Sequence, residues 1–394
     1  TIQLRVTDSA AKTSTVSTTV NLALGLTWDA NGTGAGQTNG GGAWLGANQW
    51  WDGSANTNWV SGSNAIFGGS ATNGGAVTLA SPTAANAIIL NDFTGTYTLG
   101  TTGQAITLGE GITMNAGSGN ATIISPITLG ADQAWTNNSA GILTASGVIS
   151  GSGGIVKIGT GRVSFGSGSV ANTYTGPTTI NGGILSIANN SASLGSGNLT
   201  LNGGVLGFYW NAGLTRTLGA GDNQVRILGG ESGFGGDGTT GPTINLGASV
   251  VWGASGEGSA TGFFNPSKFV LGSFDTSNAG ITTFSSAINL NGATRTIVAN
   301  KGLSSAGNRS TISGPITNST GTAGLVKEGD GMLFLTSTSS AWNGATTVSQ
   351  GLLDFGGLNV ANIGGGSGRN ITVAGGAAAR FNTLSNAILS RIVQ

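Results

Sequence analysis

Gly154-Ile155-Val156-Lys157-Ile158-Gly159-Thr160-Gly161-Arg162-Val163-Ser164-Phe165 is followed, a few residues on, by Tyr174-Thr175-Gly176-Pro177-Thr178-Thr179-Ile180-Asn181-Gly182-Gly183-Ile184-Leu185. The same order returns at Gly324-Leu325-Val326-Lys327-Glu328-Gly329-Asp330-Gly331-Met332-Leu333-Phe334-Leu335, then Trp342-Asn343-Gly344-Ala345-Thr346-Thr347-Val348-Ser349-Gln350-Gly351-Leu352-Leu353. A Ser-Gly turn and a short strand precede each copy (Ser146-Gly147-Val148-Ile149 and Ser313-Gly314-Pro315-Ile316). A Gly-Ser-Gly turn follows each (Gly195–Gly197 and Gly366–Gly368). Recurrence of one supersecondary unit marks a repeat architecture. Within each copy short runs alternate apolar and polar, then stop at Gly, Asn or Ser, which accept a left-handed backbone.

Working outward, the same short runs recur: Val77-Thr78-Leu79, Tyr97-Thr98-Leu99, Ala105-Ile106-Thr107-Leu108, Gly111-Ile112-Thr113-Met114, Ile127-Thr128-Leu129 and Asn198-Leu199-Thr200-Leu201. No window of eleven or more residues keeps helical apolar spacing uninterrupted. The chain reads as all-β, turning a corner every few residues. A sandwich needs longer strands and bulkier inward residues to fill a layer about 10 Å thick. A parallel β-helix, or solenoid, fits better. Short strands stack at about 4.8 Å over those of the previous rung, and small corner residues let the turns approach. At about 20–25 residues per rung, residues 26–394 make about 15–18 rungs and a rod on the order of 70–90 Å long.

Composition restricts the chemistry. The 394 residues include 74 Gly, 14 Lys plus Arg and 14 Asp plus Glu, with no His and no Cys, and the net charge is zero. Disulfides, thiolate or imidazole metal sites and His-dependent nucleophiles are excluded. Zero net charge argues against a broad grip on nucleic acid. No apolar run approaches the roughly 18 residues of a membrane helix, so no membrane span is expected. At the start, Thr1-Ile2-Gln3, no leader peptide is expected. Poverty in Lys and Glu with excess Thr, Asn and Gly suits an extracellular or cell-surface bacterial protein.

The repeat pattern Lys-x-Gly-x-Gly-x-Leu-x-Leu, then Tyr-x-Gly-x-Thr-x-Ile-x-x-Gly-x-Leu, resembles the autotransporter-associated β-strand repeat, or passenger-associated transport repeat, of bacterial surface proteins. It is carried by residues 142–206 and 312–376 and continues more weakly from about residue 26. The resemblance implies a right-handed parallel β-helix exported to the cell surface. Trp342 stands where the repeat usually has Tyr. The long strands of a C-terminal translocator barrel are not read before Arg391-Ile392-Val393-Gln394, so self-export is not expected of these residues.

The ends differ from the middle. Residues 1–25 read as a β-hairpin, similar to the last strands of an immunoglobulin-like domain, with Ile2, Leu4 and Val6 on one strand and Val16, Val20 and Leu22 on the other. A lone hairpin is marginal in water, so this one is expected either to cap its own solenoid or to pair with a neighbour by β-augmentation. Residues 26–65 carry Trp28, Trp44, Trp50, Trp51 and Trp59. They read first as a cap closing the first rung. The second reading is an aromatic platform in which Trp50, Trp51 and Trp59 stack on surface glycans, with Asn48, Gln49, Asn56 and Asn58 as hydrogen-bonding partners. Ile388, Leu389 and Ile392 line a C-terminal end without a polar cap, whose unpaired backbone is a template for another strand. The stretch 207–285, the least regular, reads as an insertion bulging from the rod and an alternative ligand surface.

Carboxylate pairs for sugar hydrolysis or elimination are sparse. The closest are Glu231/Asp237 and Glu328/Asp330, and the first repeat lacks the second pair. The Gly233-x-Gly235-x-x-Gly238 fingerprint is expected by chance in so glycine-rich a chain. Asp237 is the single candidate for an isolated metal ligand. No cofactor and no enzymatic activity are expected. The leading functional expectation is a structural subunit of an extracellular filament, a homo-polymer joined end to end by strand pairing. Second comes a monomeric autotransporter-like adhesin or stalk that binds glycans or cell surfaces; third, a polysaccharide-degrading β-helix enzyme.

Overall fold

A computed structural model describes residues 2–7, 13–18, 23–34, 36–166, 171–188, 193–209, 213–237, 241–253, 262–273, 281–302, 309–356, 370–381 and 392–393; for 2–7, 13–18, 237 and 392–393 it describes the backbone alone. Ile2–Thr7 and Thr13–Thr18 pair antiparallel, with Leu4 opposite Val16 and Val6 opposite Ser14, as a separate two-stranded sheet. Val20, Leu22, Ile388 and Leu389 lie outside the described residues. No α-helix is present among the described residues, and none is long and apolar enough to cross a membrane.

From Gly25–Trp28 onward the strands form sheets of 15, 13, 7 and 3 strands, stacked in parallel except for Trp50–Trp51 and Asn56–Thr57. This is a parallel β-solenoid. One column shows the register: Ile112, Trp135, Lys157, Ile180, Leu201 and Ile227 lie one above the other on successive rungs, all buried. Side-chain ladders follow the same period. Asn64 accepts from Asn86, 22 residues on, and Asn91 accepts from Asn115, 24 residues on. At the usual strand spacing, the 15-stranded sheet runs on the order of 70 Å.

Equivalent strands of the two repeats occupy different sheets. Ile155–Ile158 belongs to the 13-stranded sheet and its counterpart Leu325–Glu328 to the 15-stranded one. The change of column occurs at Glu231–Asp237. Its Gly233 pairs with Val205 on the preceding rung and with Val270 on the following one. A Cβ on Gly233 would lie 1.9 Å from the Val270 carbonyl oxygen, so only glycine permits this approach.

The described parts of 207–285 are therefore not an outward bulge. They form rungs: Thr243–Asn245, Ser249–Val251, Lys268–Gly272 and Thr282–Phe284 all pair in parallel. Phe208, Phe234, Trp252, Phe264, Phe269 and Phe284 are fully buried. Trp252 meets both Phe264 and Phe269 edge to face, at 5.3 and 6.1 Å between centroids. Aromatic bulk fills the core here in place of the strict Ile/Leu/Val pattern, which is why the stretch looks irregular in sequence.

Candidate functional site

The N-terminal tip of the rod is finished by its own residues. Trp50–Trp51 runs antiparallel to Gly25–Trp28, and Asn56–Thr57 runs antiparallel to Trp50–Trp51, so the edge of the parallel sheet is covered by a small meander. The outermost strands, Asn56–Thr57 and Gly42–Ala43, are two residues long. Edges this short offer little template for another chain.

Trp28, Trp44 and Trp50 are fully buried. The Trp50 ring lies 5.3 Å from Trp28, 5.4 Å from Trp44, 4.6 Å from Trp59 and 5.5 Å from Phe67, and its Nε1 donates to the Trp44 carbonyl at 2.7 Å. It presents no face to a sugar, and the expectation of a glycan contact at Trp50 gives way. Trp51 and Trp59 are half-buried. Trp59 donates through Nε1 to Thr83 Oγ1 at 2.9 Å. The neighbouring amides are committed as well. Gln49 donates to the Ala30 carbonyl and accepts from the Ala43 N–H, Asn58 accepts from the Asn48 N–H, and Asn56 donates to the buried carboxylate of Asp29. These polar groups hold the tip together rather than face a ligand.

The repeats carry a feature that sequence reading passed over. Lys157 and Lys327 are fully buried. Strand alternation dictates this, because each shares parity with an inward apolar residue two positions earlier, Ile155 or Leu325. Lys157 Nζ donates to the carbonyls of Ile158 at 3.0 Å, Gly159 at 2.8 Å and Gly182 at 2.9 Å. Lys327 Nζ donates to Gly329 at 2.5 Å, Gly331 at 2.6 Å and Gln350 at 2.9 Å. Each ammonium has three acceptors for its three protons. Each ties its own Gly-x-Gly turn to the turn of the next rung. Burial nevertheless pushes both groups down to about 8. The signal for this was in the sequence: Lys recurs at an inward position, one residue ahead of Gly-x-Gly.

The aromatic that follows has a paired role. Tyr174 Oη and Thr178 Oγ1 lie 2.6 Å apart, and Trp342 Nε1 donates to Thr346 Oγ1 at 3.0 Å. In both copies a buried ring spans four residues to the first threonine of the next strand. Trp replaces Tyr without losing the bond.

One cleft opens beside the first repeat. Arg216, Thr215, Ser196, Asn223 and Asn172 line a space of about 370 Å³. Arg216 is 7% exposed and donates to the carbonyls of Gly195 at 3.1 Å and Gly197 at 3.2 Å. Burial lowers its guanidinium below the usual value. Asn172 is structural: its Oδ1 accepts from the Ile149 N–H and its Nδ2 donates to the Ser193 carbonyl. Asn223 is exposed and has a φ of 54°, in the left-handed region that Asn tolerates.

The side chain of Asp237 and those of Ile2, Leu4, Val6, Val16 and Ile392 lie outside the described residues. No group of three or more metal-ligating side chains occurs among the described residues. Glu231 and Glu328, acids from different parts of the chain, converge on Lys268 at 3.1 and 2.8 Å. This is a half-buried staple across rungs.

The chain matches the passenger-associated-transport-repeat family model at residues 155–187 and 325–354, each containing one lysine clasp. It is similar to the Adhesin BmaC autotransporter of Brucella suis biovar 1 (strain 1330), 28% identical over 370 residues. That alignment covers 92% of this chain and 9% of the relative, so the chain spans about a tenth of the protein it matches. No solved structure matches it.

Proposed function

We propose that this chain, a surface-exposed bacterial passenger protein with two passenger-associated transport repeats, acts as the rigid stalk of an adhesin. In this reading it works as a single rod that holds ligand-facing loops away from the cell and performs no catalysis. The observation that carries the proposal is the closed N-terminal tip, where tryptophans and amides are spent on self-packing and the edge strands are two residues long. A filament subunit joined through that edge would keep it long and unpaired. The match to an adhesin over 92% of the chain supports the adhesive half of the reading. The rung-to-rung bonding of the lysine clasps supports the mechanical half, since each repeat depends chiefly on its neighbours.

The test combines light scattering and negative-stain microscopy of the purified chain with binding to immobilised glycans and to cell surfaces. The proposal expects monodisperse rods that bind saturably. Concentration-dependent filaments would restore the homo-polymer reading. Rods that stay monomeric and bind no surface would remove the adhesive role.

A further inference from the structure

The cleft around Arg216 has the features of a binding site that the stalk itself does not require. A buried guanidinium ordinarily needs an acid beside it. Arg216 makes no ion pair among the described residues, and two carbonyls take only two of its five N–H groups. Between residues 172 and 229 the charged side chains are Arg216, Asp222 and Arg226 alone, so the adjoining segments outside the described residues (189–192 and 210–212) contain no acid either. Arg226 likewise makes no ion pair among the described residues: its guanidinium donates to Asn198 Oδ1 and Thr200 Oγ1. Two guanidinium groups without a carboxylate partner among the described residues thus lie on neighbouring segments of the rod, one of them lining an open cleft.

We infer that this cleft binds the carboxylate of an acidic sugar, with Arg216 holding the anion and Ser196, Thr215 and Asn223 holding ring hydroxyls. The rest of the lining selects the class. A planar carboxylate suits the fork of a guanidinium. The hydroxyls and the amide beside it are exposed and both donate and accept, as sugar hydroxyls do. Local charge is too small for a polyanion such as a phosphate cluster, but one arginine suffices for one carboxylate. The volume, about 370 Å³, falls in the range of ligand pockets, about 300–1,000 Å³. The inference rests on the adhesin reading for its biological use, although binding itself can be measured without it.

The experiment titrates the whole chain with a hyaluronan tetrasaccharide, which carries glucuronate, and with the neutral tetramer of N-acetylglucosamine, with acetate and sulfate as small-anion controls. Binding of the first with at least tenfold preference over the second is expected. Arg216→Met is expected to abolish that preference. Because Arg216 also supports the Gly195 and Gly197 carbonyls, Asn223→Asp serves as a second variant: the site is exposed, Asp tolerates its backbone, and the added charge should weaken the acidic ligand at least tenfold while leaving the melting curve in place. Equal binding of both tetrasaccharides, or acidic binding untouched by both variants, would overturn the cleft assignment while leaving the adhesin reading intact. Tight binding of sulfate or acetate alone would reduce the cleft to a simple anion site and also overturn it. Cleft binding to the acidic sugar in rods that adhere to no surface would instead sink the adhesin reading.

Discussion

The ammonium of Lys157 lies 2.9 Å from the carbonyl oxygen of Gly182, on the following rung, and Lys327 stands in the same relation to Gln350. A charged group in a column of apolar residues, between Trp135 and Ile180 in the first copy, is costly unless its protons are all bonded. Here they are bonded to turn carbonyls of two successive rungs, so the burial and the turn explain each other.

Removing one clasp should act locally. Lys157→Met keeps the bulk but strips donors from three carbonyls, at a cost of about 1–3 kcal/mol. Because each rung leans mainly on its neighbours, amide hydrogen exchange should accelerate over 155–187 and stay unchanged over 325–354. Uniform acceleration along the rod would contradict the clasp as a local device.

The clasps also give a pH dependence of unusual sign. Burial lowers both lysines to about 8, from 10.5 in the unfolded chain; for Lys327 the nearby Asp330 partly opposes this. Below about 8 both states carry the proton, and the cost of burying charge is present in full. Between about 8 and 10.5 the unfolded chain holds more protons than the folded one, so the contribution to stability rises with pH. The difference in melting temperature between the wild type and the Lys157→Met/Lys327→Met double variant should shift in favour of the wild type across that window. A flat difference would refute the depressed values.

Tyr174 and Trp342 should be exchangeable. Trp342→Tyr and Tyr174→Trp keep a buried ring and a donor aimed at Thr346 or Thr178, and each is expected to cost less than about 1.5 kcal/mol. Tyr174→Phe loses the bond and should cost about 1 kcal/mol. Trp342→Ala should cost about 3–5 kcal/mol. Denaturant melts of the four variants check this ordering.

Gly233 tests the change of column. With the Val270 carbonyl 1.9 Å from the position of a Cβ, Gly233→Val should destabilise on the order of 3 kcal/mol. Exchange should rise first at Val205–Tyr209 and Lys268–Gly272, the strands that Gly233 joins. Protection unchanged at both strands would mean that the junction tolerates a side chain.

Trp50→Ala separates the tip as a cap from the tip as a sugar platform. Loss of a fully buried ring should cost about 3–5 kcal/mol and loosen residues 25–67. Glycan binding lost at full stability would return Trp50 to the ligand surface.

Sequence alone determined the solenoid. Alternation over three to five residues, glycine at each corner and the twice-repeated Lys-x-Gly-x-Gly pattern allow only short strands that turn and restack, and those signals are local. For the tryptophans of 26–65 it left two readings, a cap and a sugar platform, because ring clustering alone does not say which faces are buried. Three matters were settled by tertiary structure: that the Lys157 ammonium reaches the turn of the next rung, that equivalent strands of the two repeats stand in different sheets, and that Arg216 lines a cleft with no acid beside it among the described residues. Each depends on which residue of another rung lies above or below. That register is set by packing along the whole stack, including the single glycine at 233 that joins two columns, and no window of sequence contains both partners.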